Sequence, residues 1–156
     1  MRYSVIGSLM ALTMLAGCTA ESMQKIDTTE TSSLSAPKDV SAADLKLGKE
    51  HFIEANYGLA EKHFRKAVEL NADNGEAWMG LAASYDQLGR FDFADRAYDQ
   101  LIKLVGRKPE VISNQGYSQL LRGNHAKARK LLNEARALLP DDKRISANLA
   151  LLDKLS

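Results

Sequence analysis

One cysteine and three histidines are the side chains in this chain best suited to nucleophilic or metal chemistry, and their spacing serves neither. Cys18 stands alone, so no disulfide can form within the chain. His51, His63 and His125 fall in different segments, with no pair at the i, i+4 spacing that would set two imidazoles on one helix face. No Gly-x-Ser-x-Gly elbow offers a serine nucleophile, and no Gly-x-x-x-x-Gly-Lys loop offers a phosphate cradle. The adjacent carboxylates Asp141 and Asp142 follow Pro140 and precede an apolar-periodic stretch. There they suit the positive end of a helix rather than acid–base work. The expectation is a protein that is not an enzyme and that holds no metal or cofactor.

Cys18 has a different use. It ends the string Leu15-Ala16-Gly17-Cys18, after one cation, Arg2, and a short apolar run from Val5 to Ala16. Such a run is shorter than the roughly 20 residues of a bilayer-spanning helix and fits the core of a secretory signal. The string resembles the lipobox of bacterial lipoproteins. That resemblance implies a signal peptide over residues 1–17, cleavage before Cys18, and acyl chains on Cys18 that anchor the chain to a membrane. Each buried methylene adds about 0.8 kcal/mol to such an anchor. Thr19 follows the cysteine where an aspartate usually retains such lipoproteins at the inner membrane. By resemblance, the expected location is the cell envelope, on the periplasmic face of the outer membrane.

From residue 18 to 41 the chain is rich in Ser, Thr and Ala and poor in large apolar residues. Such a segment buries too little surface to offset its ordering entropy and reads as a lipidated, flexible tether. The residues after Cys18 would average about 27 Å end to end as a coil and reach about 80 Å when extended. Residues 42–156 then form one small domain. Its charge is uneven: residues 107–156 carry 10 Lys/Arg against 5 Asp/Glu, and residues 18–106 carry 10 against 15. Such an imbalance can steer a partner, but it is more often the wet outer face of helices.

The domain repeats itself every 34 residues, with no insertion or deletion over three copies. Gly48, Ala82 and Gly116 form a small column, and Phe64, Tyr98 and Leu132 a large one. Ala60, Ala94 and Ala128 form another column, as do Leu70, Leu104 and Leu138. His51 stands in the column of Tyr85, and His125 in that of Tyr57 and Phe91, so both read as stand-ins for aromatics. Within a copy the apolar residues recur at three and four positions, the period of a helix face. Trp78, Leu81, Ala82 and Tyr85 make one stripe, and Phe91, Ala94, Tyr98 and Leu101 the next. Between them Gly89 suits a left-handed helix end. The unit is helix, tight turn, helix, with small residues where the helices approach. Such pairs bury their apolar faces only by stacking.

Period, order and residue types resemble the tetratricopeptide repeat. Trp78, Leu81, Tyr85, Ala94 and Tyr98 follow its motif, whereas Asp44, His51 and Gln115 depart from it. The predicted fold is all-α: an α-solenoid of about three helix-turn-helix repeats (42–74, 75–108, 109–142) with a capping helix over 143–156. In the cap, Ile145, Leu149 and Leu152 line one side. The first helix of each pair should line a concave surface. Leu45, Lys49 and Phe52 are expected there, as are Glu76, Met79, Ala83 and Asp86, and then Glu110, Ser113, Tyr117 and Leu120. The predicted partner groove is Leu45, Phe52, Met79, Ala83, Tyr117 and Leu120, a composition suited to a protein or peptide segment. It lacks the repeated Lys and Asn of grooves that clamp a C-terminal carboxylate, which disfavours a receptor for chaperone tails. The partners expected are a polypeptide and, through the lipid, a membrane. Nucleic acid is not among them.

The third copy and the cap contain Asn114-Gln115-Gly116-Tyr117-Ser118 and Asn148-Leu149-Ala150-Leu151. These phrases, with the layout of lipid, tether, repeats and cap, are similar to those of TadD-type lipoproteins of the tight-adherence (Flp) pilus system. The resemblance implies a pilotin-like role in assembling or localising the pilus secretion complex, with the outer-membrane secretin or another pilus-assembly subunit as partner. The alternative is a general envelope scaffold for cell-wall synthesis or outer-membrane protein assembly.

Overall fold

The computed structural model describes residues 39–155. The expected signal peptide, Cys18 and nearly all of the expected tether lie outside the described residues. Among the described residues seven helices follow one another: α1 (Ala42–Ile53), α2 (Tyr57–Leu70), α3 (Gly75–Gln87), α4 (Phe91–Val105), α5 (Pro109–Leu121), α6 (His125–Leu138) and α7 (Lys143–Leu155). The predicted all-α solenoid with a terminal cap is the architecture found. Helices α1/α2, α3/α4 and α5/α6 pack as pairs, and α7 covers the end of the last pair. No described helix is long and apolar enough to cross a membrane.

The pairs are held by the columns seen in the sequence. A Cβ on Gly48 would lie 2.8 Å from the Phe64 ring, and one on Gly116 would lie 2.8 Å from Leu132. Only a small residue lets the first helix of a pair approach the large residue of the second. Each pair also turns in the same way. Arg90 N–H donates to the Tyr85 carbonyl (2.8 Å), and Asn124 N–H to that of Gln119 (2.8 Å). Asn56 N–H donates to that of His51 (2.9 Å). This six-to-one bond places the preceding residue in the left-handed region. Gly89 (φ 68°) and Gly123 (φ 76°) occupy that position, but the first copy has Ala55 there (φ 59°).

Stacking joins the pairs asymmetrically. The first helices touch in succession, α1 to α3, α3 to α5 and α5 to α7. The backbones of α2, α4 and α6 do not come into contact with one another. The first helices therefore converge on an inner face, and the second helices splay apart on the outer one. Two apolar clusters fill the interior. One contains Phe64, Leu81, Tyr98 and Leu101 from the first two pairs, and the other Ile112, Leu132, Ile145 and Leu152 from the third pair and cap. Asn74 caps α3, its side chain accepting from Ala77 N–H at 3.0 Å. Asp142 caps α7, accepting from Arg144 N–H (2.8 Å) and Ile145 N–H (3.0 Å). These bonds, that from Ile145 first, hold the Asp142 carboxyl below its ordinary pKa.

Candidate functional site

The inner face carries an apolar groove between α1 and α3. It encloses about 300 Å³ and is walled by Phe52 and Ile53 on one side and by Met79 and Ala83 on the other. Its floor is the ring of Phe64, which rises from α2 because Gly80 leaves it room; a Cβ on Gly80 would collide with that ring. Phe52 is fixed edge-on against Tyr57, with ring centres 5.3 Å apart. Met79 Sδ accepts from Asn114 Nδ2 at 2.8 Å, which ties the groove wall to α5. Across the mouth, Lys49 Nζ pairs with Glu76 Oε1 at 2.6 Å. Both charges are half exposed, so the pair stabilises little and can open to an incoming chain. Ile53 is 85 % exposed and extends the apolar rim.

Three of the six residues expected in the groove thus meet there: Phe52, Met79 and Ala83. The other three stand elsewhere. Leu45 packs against the first core cluster. Leu120 is 6 % exposed and belongs to the second cluster. Tyr117, half-buried on α5, lies one repeat away from the groove. Of the other residues expected on the inner face, Lys49 and Glu76 flank the mouth, whereas Ser113 is buried and meets Asn148 Nδ2 at 3.3 Å.

Asp86, also expected to face inward, is 4 % exposed. Its carboxylate accepts from Tyr98 Oη (3.0 Å) and Ser118 Oγ (2.6 Å) and lies 3.8 Å from the Arg122 guanidinium. Burial pushes the Asp86 carboxyl above its ordinary pKa, while the two hydroxyls and Arg122 pull it back. Burial likewise pushes the Tyr98 phenol well up. Arg122 forks onto Asp95 (2.6 and 2.8 Å) and stands over the Phe91 ring, 4.8 Å from its centre. The bond to Asp95 is the main reason its guanidinium holds its proton more tightly than usual. This network joins α3, α4 and α5 as a structural lock, and its Asp95, Tyr98 and Ser118 border the outer cleft between α4 and α6.

The histidines kept apart in the sequence reading are partly brought together. His51 and His63 stack with ring centres 5.5 Å apart, and His63 Nδ1 lies 2.9 Å from Asp44 Oδ1. His51 therefore fills an aromatic position, as its column implied. Among the described residues, no group of three or more His, Cys, Asp or Glu side chains is placed to hold a metal ion.

The outer face, which the sequence reading left out, carries two clefts where α2, α4 and α6 splay. One, between α2 and α4, encloses about 380 Å³ over Leu81, Tyr85 and Phe93. The other, between α4 and α6, encloses about 360 Å³ over Gln115, Gln119 and Lys127. The six residues are the same three repeat positions, read one copy apart. The departure of Gln115 from the motif was their visible trace.

A stack of paired helices with a concave apolar groove and no catalytic cluster among the described residues defines a helical-repeat solenoid of the kind that binds polypeptide. Residues 51–143 belong to the tetratricopeptide-repeat family: two models of that repeat match residues 51–111 and 84–143. The chain is 38 % identical over 97 residues to the cytochrome c-type biogenesis protein CycH of Rhizobium meliloti, a match over 59 % of this chain and 24 % of CycH. It is 31 % identical over 112 residues to the formate-dependent nitrite reductase complex subunit NrfFG of Haemophilus influenzae, over 70 % of this chain and 27 % of NrfFG. The chain thus spans about a quarter of the length of these relatives. Among solved structures it is similar to pilF of Pseudomonas aeruginosa, with a TM-score of 0.61 and 25 % identity over 74 % of this chain and 53 % of that one. The fold is shared with the Arabidopsis OM64 repeat domain, with a TM-score of 0.64 and 17 % identity over 74 % and 96 % of the two chains. It is shared too with the Yersinia enterocolitica type III secretion chaperone SycD in complex with a peptide of the translocator YopD, with a TM-score of 0.58 and 20 % identity over 71 % and 90 %.

Proposed function

We propose that this domain captures a segment of an envelope assembly subunit in the α1–α3 groove and, through a lipid on Cys18, keeps that subunit at the outer membrane. The partner named by this reading is the secretin of a tight-adherence pilus, and the role is pilotin-like. The observation that carries it is the groove itself, in which exposed Ile53 and half-buried Phe52 and Met79 line about 300 Å³. Apolar side chains left partly open around a cavity are the usual seat of a few dominant anchor contacts. The test is recovery of the secretin from detergent extracts on the full-length protein. Met79→Ala and Phe52→Ala should each reduce recovery, and Cys18→Ser should leave the protein unlabelled by radioactive palmitate. Palmitate on the Cys18→Ser chain, or secretin recovery indifferent to both groove variants, would overturn the reading.

A second reading rests on the 38 % identity to CycH. In it, the same groove serves the assembly of a c-type cytochrome. A deletion strain separates the two: it would lose c-type haem staining and keep its pili.

A further inference from the structure

We infer that the outer cleft between α2 and α4 is a second docking site, for a protein segment that presents an aromatic or long aliphatic side chain next to a carboxylate. It lies on the face opposite the groove and does not depend on what the groove binds. Phe93 is 50 % exposed, yet its ring is held in place. It lies against Tyr85, with centres 5.3 Å apart, and the Arg96 guanidinium stands 4.4 Å from its centre. With Val68, Leu81 and Ala97 these rings floor a cleft of about 380 Å³.

The repeat does not require this surface to be apolar. One copy further on, the same positions carry Gln115, Gln119 and Lys127, and the cleft between α4 and α6 keeps a similar size. Leu81 and Tyr85 follow the repeat motif and belong to the core, but half-exposed Phe93, whose place one copy on is taken by Lys127, is an addition and not a demand of stacking. A preformed, rigid aromatic surface at low entropic cost is what a buried anchor residue needs.

The charge at the rim sets the second half of the recognition. Arg65 is bonded to Glu61, and Arg90 lies 3.6 Å from the same carboxylate. Glu69 is paired with Lys66 at 4.0 Å. Arg96 has no carboxylate partner among the described residues, and its guanidinium is already oriented by the Phe93 face. A guanidinium standing over a ring, with no carboxylate of its own, can donate two N–H bonds to an incoming carboxylate in a forked geometry. The fitting occupant thus places its apolar side chain over Phe93 and Tyr85 and an Asp or Glu within about one helical turn, against Arg96.

The test is selection of displayed 12-residue random peptides on the full chain in detergent, with the Phe93→Lys chain as the counter-target. Lysine already occupies the equivalent place at position 127, so the substitution suits the fold. Peptides retained by the wild type and released by Phe93→Lys should share an aromatic or aliphatic residue with a nearby acid. A synthetic copy should bind Phe93→Lys about tenfold more weakly or worse and Arg96→Gln about threefold more weakly. Replacing its acid by the amide should abolish the difference between wild type and Arg96→Gln. Met79→Ala, in the inner groove, should leave its affinity unchanged. Should circular dichroism show Phe93→Lys to be unfolded, Arg96→Gln with the acid and amide peptides decides alone. Failure to recover any peptide that separates wild type from Phe93→Lys, recovery of peptides without acids, or equal weakening by Met79→Ala would each overturn the proposal.

Discussion

The two outer clefts share one register and differ in chemistry. Between α2 and α4 the lining is Leu81, Tyr85 and Phe93; between α4 and α6 it is Gln115, Gln119 and Lys127. Beneath the polar cleft lies the network of Asp86, Tyr98, Ser118 and Arg122, fixed by hydrogen bonds across three helices. Beneath the apolar one lies the first core cluster. The inner groove also belongs to the first two pairs, since its walls are α1 and α3. The repeat sets where helices go, and the residues at a few free positions decide which stretch recognises and which one locks. In this chain the apolar groove and the apolar cleft fall on the first two pairs, and the Asp86 network joins the second pair to the third.

That division can be broken most severely at the lock. Asp86→Ala strips partners from Tyr98, Ser118 and Arg122 in a nearly closed site and should cost about 3 kcal/mol in denaturant unfolding. Asp86→Asn tests the charge alone. The folded-state pKa of Asp86 is raised by burial, so the folded protein binds that proton more readily than the unfolded chain. Stability from this group is then present at acid pH and falls as pH rises from the ordinary carboxylate range through the raised value. Unfolding of wild type minus Asp86→Asn across that window should show the wild type losing ground with increasing pH.

Exchanging the linings is the next largest effect. Leu81 is 4 % exposed, so Leu81→Gln buries an amide without a partner and should cost about 2 kcal/mol. Gln115 is only half buried, and Gln115→Leu should gain about 0.5–1 kcal/mol. Equal costs in both directions would mean that the clefts are tuned to their own chemistry for stability, and the contrast would lose its functional meaning. Both values come from thermal or urea unfolding of the full chain.

The smallest effect concerns the turns. Ala55 holds the left-handed position that Gly89 and Gly123 hold in the other copies. Ala55→Gly should raise stability by about 0.5–1 kcal/mol, and Gly89→Ala should lower it by a similar amount. A loss on Ala55→Gly would show that the first turn is not strained in the way its φ implies.

Much of this was legible in the sequence, because repetition writes packing into columns. The approach of Gly48 to Phe64 and of Gly116 to Leu132, the turn at Gly89 and the α7 cap all follow from a period of 34 read against a helix face. The site was legible in part. Phe52, Met79 and Ala83 could be placed on the inner face by spacing, but the same spacing also placed Asp86 and Leu120 there. Those two occupy the last turn of their helices, where side chains meet the next pair. Asp86 is buried because Tyr98 and Ser118, 12 and 32 residues away, reach its carboxylate. Periodicity reports which face a residue is on; it does not report which distant hydroxyls converge on it. The outer clefts went unread for a related reason: Gln115 counted as a flaw in a motif, when set beside Gln119 and Lys127 it marks a change of surface.

The central claim is that capture belongs to the first two pairs, and it is tested most directly by secretin retention on the full-length protein carrying Met79→Ala, Tyr117→Ala or Lys127→Ala, measured side by side from detergent extracts. Met79 lines the groove, Tyr117 stands one repeat beyond it, and Lys127 lies in the polar cleft. The account predicts a loss of about fivefold or more for Met79→Ala, less than about threefold for Tyr117→Ala, and almost none for Lys127→Ala. Full retention on Met79→Ala together with loss on Lys127→Ala would contradict it and move recognition to the basic third repeat and cap.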